Sequence, residues 1–295
     1  MTVFEDIVIK DGRMYGGWRR PINTAMGART SIHNDETARS VGMRGGTIPG
    51  TVHLNLFAPL FVKLWGQRWF ERGSLSMFYT YATLDREEVR AFVVLPPEGA
   101  KDVQVEAGVE TPDGRTVAQG TVSVGDAKDV SYLQGLELAN AKPEELRILA
   151  GLKAGDELPS RDVIVTQETI DRGLQTITEP LDWYKGSSPW GPSIVNPSAM
   201  YGAMMLTPTR PDGKPFNAVG FFGATEVRNV NGPIKVGVPY HAKGKLVCVG
   251  TSSRTEYYWY DSYLEETDSG KRVAEMRKML RYMKAGSPYY QDAKE

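Results

Sequence analysis

One cysteine and three histidines are all that 295 residues supply for thiol and imidazole chemistry. The lone thiol, Cys248, can make no internal disulfide and brings no second sulfur to a metal. Set among the strand formers of KLVCVGTSS, it reads as a small buried apolar residue. With only His33, His53 and His241, a histidine-built metal site is not expected, since carboxylates would have to complete its shell. Charge of one sign is also lacking: 35 Lys and Arg stand against 36 Asp and Glu, with no long run of either, which leaves no footprint for nucleic acid. No stretch reaches the roughly 20 apolar residues of a membrane span. The N-terminus, MTVFEDIVIKDGRMYGG, carries acidic residues where a secretory signal has a basic start. A cytoplasmic protein without a membrane partner is expected. Glycine is plentiful, yet G-x-G-x-x-G and G-x-x-x-x-G-K-[ST] are both absent, so dinucleotide and P-loop phosphate cradles are not supported. H-E-x-x-H and G-x-S-x-G are missing too.

What is present repeats itself in order. In the first half, FEDIVIKDG reads as an edge strand and GTVHLNLFAPLFVKLWG as a helix, with Leu56, Leu60 and Leu64 on one stripe and Phe57, Phe61 and Trp65 on the next. Pro59 should kink or split that helix. Strand patterns follow in LSMFYTYATL, EVRAFVVL and DVQVEAGVETPDGRTVAQGTVSV, the last turning at Pro112-Asp113-Gly114. The run NAKPEELRILAGLKAGDELPS reads as a capped helix and a loop. The second half then places helices at TQETIDRGLQTI and SAMYGAMML, and strands at AVGFFGATEVR, PIKVGVPY, GKLVCVGTSS and TEYYWYDSYLEE. A last helix is expected over KRVAEMRKMLRYMKA, with Val273, Met276, Leu280 and Met283 on one face. One central helix followed by antiparallel strands, twice over, predicts an α+β protein of two halves, each a sheet curved around its helix. The halves run over residues 1–135 and 161–295, with a linker over 136–160.

The segment SIHNDETARSVGMRGGTIPG, residues 31–50, concentrates the remaining chemistry. Gly27, Ile32-His33, Asp35, Ala38, Gly42 and the turn Thr47-Ile48-Pro49-Gly50 together resemble the signature of MaoC-like acyl-CoA hydratases and dehydratases. In the second half, LDWYKGSSPWGPSIVNPS is similar to the helix entry of double-hotdog relatives. The resemblance implies a double hotdog: two fused halves forming an internal pseudo-dimer, with further pairing into a homodimer. It implies a lyase acting on a small acyl thioester, with coenzyme A as part of the substrate and no separate cofactor. The family's active pair is an Asp five residues before the histidine together with that histidine. Ala28 stands at the Asp place here, and Thr30 and Ser31 replace the Asn and Pro. The corresponding second-half places hold Glu179 and Tyr184, so neither half contains the whole pair.

Adding water across an enoyl thioester needs a base for the water and an acid for the α-carbon. It also needs a preorganised donor for the developing enolate oxygen, which a helix N-terminus provides. The resemblance puts Gly50 and Thr51 at that helix start, glycine allowing close approach of a backbone donor. His33 is the expected acid or base, with Asp35, Asp182, Glu179 and Tyr184 as candidate partners. Held only by the turn, it would be structural. Asp35 equally suits an N-cap of the helix over ETARSVG. His53 sits either at the helix mouth or in the packing stripe. Arg39, Arg44, Arg19 and Arg20 could meet coenzyme A phosphates or simply be solvated. A hotdog thioesterase and a non-catalytic acyl-binding protein are the alternatives to a hydratase, the second accounting for the lost Asp.

Overall fold

The computed structural model describes residues 6–27, 31–175 and 178–291. Of the departures from the family pattern, Ala28 and Thr30 lie outside the described residues and Ser31 within them. The first half contains β1 (Val8–Lys10), β2 (Arg13–Tyr15), α1 (Asp35–Ser40), a 3₁₀ helix (Gly50–Phe57) and α2 (Ala58–Trp65). It continues through α3 (Arg68–Arg72), β3 (Gly73–Tyr79), β4 (Arg90–Val94), β5 (Val103–Glu110) and β6 (Thr116–Val124). The second half contains β7 (Arg161–Ile164), α4 (Gln167–Gly173), the short pair β8 (Ser187–Ser188) and β9 (Gly191–Pro192), and α5 (Pro197–Met204). Four long strands end it: β10 (Gly220–Asn229), β11 (Pro239–Thr251), β12 (Thr255–Glu266) and β13 (Arg272–Met283).

The strands of both halves join into one eleven-stranded sheet in the order β1-β2-β4-β5-β6-β3-β10-β13-β12-β11-β7. Outward from the junction, the first half reads first, fourth, third and second strand after its central helix, and the second half does the same. The junction itself pairs the equivalent strands β3 and β10 antiparallel, Leu75 opposite Val227 and Met77 opposite Thr225. That is the arrangement a two-fold relation between halves requires. The two curved sheets expected from the sequence are therefore continuous across β3 and β10.

Pro59 divides the first central helix as expected. The 3₁₀ helix ends at Phe57, and Pro59 falls within the first two positions of α2, where its missing N–H costs no hydrogen bond. Leu54, Phe57, Leu60 and Phe61 are fully buried, and Phe61 stacks on Trp69 with ring centres 4.2 Å apart. The second central helix, α5, is capped by Asn196, whose side chain accepts from Ala199 N at 3.0 Å. The buried Asn55 ties the two helices together: its Nδ2 donates to Ser198 Oγ at 3.0 Å, and its Oδ1 accepts from Ser198 N at 3.1 Å. One continuous apolar core contains residues from both halves. A smaller cluster, Leu133, Ala224, Cys248, Trp259 and Met279, lies under the chain at 132–138.

Three local expectations are corrected. The helix expected over 271–285 is the strand β13, paired with β10 on one side and β12 on the other. Both of its faces are covered, Met276 and Tyr282 by the main core and Met279 by the smaller cluster, so apolar residues do not alternate and their spacing mimics a helix. The helix expected in 140–160 is only a 3₁₀ turn, Pro143–Glu145. The backbone N–H groups of Arg147, Ile148 and Leu149 donate instead to the buried Glu256 carboxylate at 2.8, 3.0 and 2.8 Å, which removes them from any helical ladder. Finally, PIKVGVPY joins the sheet only from Pro239, because Val236 N and Gly237 N donate to the Ser193 and Val165 carbonyls.

Candidate active site

The segment containing His33 is folded by its own short-range chemistry. Asn34 caps α1, its side chain accepting from Thr37 N at 3.1 Å, so the cap is one residue earlier than Asp35. Asp35 starts the helix and uses Oδ1 to accept from Gly46 N at 2.6 Å. That bond folds the following turn back onto His33. Thr47 N donates to the Ile32 carbonyl and Ile48 N to that of Thr83, both at 2.9 Å. Gly46 is required by the close approach, since a Cβ there would stand 2.5 Å from the His33 carbonyl oxygen.

His33 Nδ1 lies 2.6 Å from the Thr47 carbonyl oxygen. A carbonyl only accepts, so Nδ1 bears the hydrogen and the neutral ring keeps its lone pair on Nε2. Burial holds this imidazole below the usual histidine value, outweighing the raising effect of the Thr47 bond. His33 lines a cavity of about 400 Å³. First-half residues on the wall include Ile48, Gly50, His53, Tyr79, Tyr81 and Thr83; Phe221, Phe222 and Arg281 come from the second half. The site thus spans the β3–β10 junction. A Cβ on Gly50 would meet the Tyr79 ring at 3.1 Å, a tight contact that glycine avoids where the 3₁₀ helix starts against this wall.

His53 is buried one turn into that helix. Its Nε2 lies 2.8 Å from Thr83 Oγ1, while Nδ1 is buried with no partner among the described residues. Desolvation pushes its pKa down to about 4, so it is neutral at physiological pH. Thr51, next to Gly50, is buried and is not part of the wall.

The structure does not bring the other candidates to this cavity. Asp35 is exposed and engaged with Gly46 and, at 3.7 Å, with Arg39. Glu179 is buried in an ion pair with Arg19, which also reaches Asp6 at 2.6 Å. Burial pushes the Glu179 carboxyl up, and the Arg19 guanidinium opposes it. Asp182 is exposed at the start of a 3₁₀ turn, Asp182–Tyr184. Tyr184 is wholly within the core. No described residue lining the His33 cavity is an Asp or a Glu. Of the arginines considered for phosphate, Arg44 pairs with Glu87 at 3.0 Å and lies over the Tyr81 ring, and Arg20 pairs with Glu88 at 3.3 Å.

No local motif marks Tyr79, Tyr81, Thr83, Phe221, Phe222 or Arg281 as wall residues. The first three form an alternating polar and aromatic run at the end of β3, FYTYAT, which was visible as a strand but not as a wall. Arg281 was hidden because its segment read as a helix. A second cavity, about 410 Å³, opens elsewhere along β12 and β13, where Arg277, Asp261 and Glu226 on its lining are engaged with protein partners. Arg277 holds Asp261 through two 2.8 Å bonds, and Glu226 accepts from Ser76, Ser131 and Gln134.

No protein-family model matches the chain, and no curated protein matches its sequence. Solved structures do match, over nearly its full length. A protein from Chloroflexus aurantiacus J-10-fl described as a MaoC domain dehydratase superposes with a TM-score of 0.63 at 10% identity, covering 96% of this chain and 97% of that one. A Mycobacterium tuberculosis protein described as a double hotdog gives 0.59 at 12% identity, covering 90% and 94%. A MaoC-like dehydratase gives 0.55 at 14%, covering 91% and 97%. Among the described residues, no helix is long and apolar enough to cross a membrane. At these identities the likeness is one of architecture, and it agrees with the mirrored strand order: the chain is a double hotdog, the fold of MaoC-like dehydratases.

Proposed function

We propose that the chain is a lyase of the hydratase or dehydratase type acting on an acyl thioester, with His33 as both general base and general acid. The supporting observation is the fixed tautomer of His33, a residue of the cavity lining: Nδ1 is committed to Thr47, which leaves Nε2 as the basic atom. With no carboxylate among the described lining residues, both proton transfers fall to one imidazole. Nε2 takes a proton from water as the water oxygen bonds to the β-carbon of an enoyl thioester. The double-bond electrons move onto the thioester carbonyl oxygen. As that enolate collapses, the imidazolium returns the same proton to the α-carbon, so water is added whole and the base is regenerated. Dehydration is the reverse.

The developing oxyanion is assigned to the Gly50 N–H. As the first residue of the 3₁₀ helix, Gly50 has no intrahelical acceptor for its N–H, and the helix dipole favours negative charge there. Thr51 and His53 hold that helix start in place from within the core. Coenzyme A enters only as the thiol portion of the substrate. The test is product analysis with a trans-2-enoyl thioester: a 3-hydroxyacyl thioester formed by wild type and lost in His33→Gln supports the reading. Release of free thiol would make it a hydrolase, and tight binding without turnover an acyl-binding protein.

A further inference from the structure

Arg281 stands where β13 ends, opposite Phe221 of β10, and lines the His33 cavity from the second half. It also lines a smaller neighbouring cavity of about 260 Å³ beneath residues 136–139. Its surroundings are shaped to receive it. β10 bulges between Phe222 and Ala224, and a Cβ on the intervening Gly223 would lie 2.8 Å from Arg281 Nε. Among the described residues no carboxylate forms an ion pair with its guanidinium: the exposed Glu137 shares only the smaller cavity with it, and the His33 cavity contains no acid. Arg281 Nε donates to Met279 Sδ at 3.5 Å, and the guanidinium carbon lies 5.4 Å from the Phe78 ring centre. Elsewhere on the same strand, Arg277 is paired with Asp261, and Arg272 with Glu275 at 3.1 Å. A half-buried guanidinium with no carboxylate paired to it leaves its fork of N–H donors open to a ligand anion.

We propose that Arg281 is a specificity-determining residue that binds a carboxylate at the far end of the acyl group, so that the preferred substrates are monothioesters of short dicarboxylic acids. This rests on the reading of the His33 cavity as an acyl-thioester site and deepens it. A cavity of about 400 Å³, walled by Ile48, Tyr79, Phe221 and Phe222, is of a size for a small acyl group and not for a nucleotide. Its polar groups are then divided by role, with His33 and the Gly50 N–H for the thioester end and Arg281 for the other end. A coenzyme A phosphate is the competing source of the anion, and the test separates the two.

The thioesters are made on N-acetylcysteamine, which carries no phosphate. Turnover of the trans-butenedioyl monothioester is compared with that of its methyl ester, in wild type, Arg281→Met and Arg281→Lys. Wild type is expected to favour the free acid about 10- to 100-fold in kcat/KM. Arg281→Met should bring that ratio near one, and Arg281→Lys should restore part of it. An unchanged ratio in Arg281→Met overturns the proposal. So does a wild-type ratio near one, combined with an Arg281→Met defect seen only with coenzyme A thioesters, which would assign the residue to phosphate. Calorimetric binding of the unreactive succinyl and butanoyl N-acetylcysteamine thioesters is measured in parallel. If no thioester is turned over, the catalytic reading fails. An Arg281-dependent preference for the succinyl thioester in that titration would still uphold the carboxylate site, and equal binding of the two would overturn it.

Discussion

Gly46→Ala is a perturbation whose effect can be worked from the geometry around His33. The added methyl would stand 2.5 Å from the His33 carbonyl oxygen, 3.1 Å from Asp35 Oδ1 and 3.2 Å from Asp35 N. Two of these atoms are backbone, so the segment carrying His33 must retreat by roughly 1 Å, and a displacement of that size at a catalytic group costs about 10²-fold in rate. The same retreat strains the Asp35 to Gly46 bond and the Thr47 contact that sets the tautomer. Overpacking here should cost about 1–3 kcal/mol of stability, leaving the chain folded. The control is Gly45→Ala, whose methyl would meet the terminal Asp35 Oδ1 at 3.1 Å and the Leu84 side chain at 3.7 Å, with no backbone contact within 4 Å. Steady-state hydration of a trans-2-enoyl thioester, read beside urea unfolding, should show kcat down about 100-fold in Gly46→Ala and within a few-fold of wild type in Gly45→Ala. A folded Gly46→Ala protein with wild-type kcat would refute the link between this turn and His33.

Because burial lowers the His33 pKa, the base is competent at neutral pH: kcat/KM should rise with pH to a midpoint below 6.5 and then stay flat, and a midpoint above 6.5 would contradict the assignment. The buried His53 has a folded pKa of about 4 against 6.5 unfolded, so its contribution is fully present above pH 6.5 and is lost as pH falls towards 4. Unfolding titrations should show an acid-side loss of about 3 kcal/mol that disappears in His53→Gln, and an unaltered pH dependence would count against it. Asn55→Ala leaves Ser198 N without its acceptor and removes the donor to Ser198 Oγ, which keeps its bond to Asn196, and should cost about 1–3 kcal/mol by chemical denaturation; less than 0.5 would show that the link is dispensable.

The parts of the molecule with strong local signals were legible. Pro59 marked the break in the first central helix, Pro112-Asp113-Gly114 the β5–β6 turn, and the repeated order of elements the two halves. β13 was not legible, because a strand covered on both faces loses its alternation and Met, Leu and Lys are good helix formers. The stretch after Pro143 failed for a different reason: its backbone donors are taken by Glu256, more than a hundred residues away. At the site, local sequence pointed to His33 and Gly50, which the fold places on one cavity wall. It could not exclude Glu179, since the Arg19 that neutralises it lies 160 positions earlier in the chain. Arg281 and Phe222 reach the cavity only through the pairing of β10 with β13, a contact no short window contains.

The most direct measurement follows the loss of the enoyl double bond and the appearance of free thiol together, in wild type and in His33→Gln, with a trans-2-enoyl thioester at neutral pH. Wild type should consume the double bond without releasing thiol, and His33→Gln should lose about 10²- to 10⁴-fold of that rate while still binding the thioester. Equal rates in the two proteins, or thiol release at the rate of turnover, would contradict a hydratase whose base is His33.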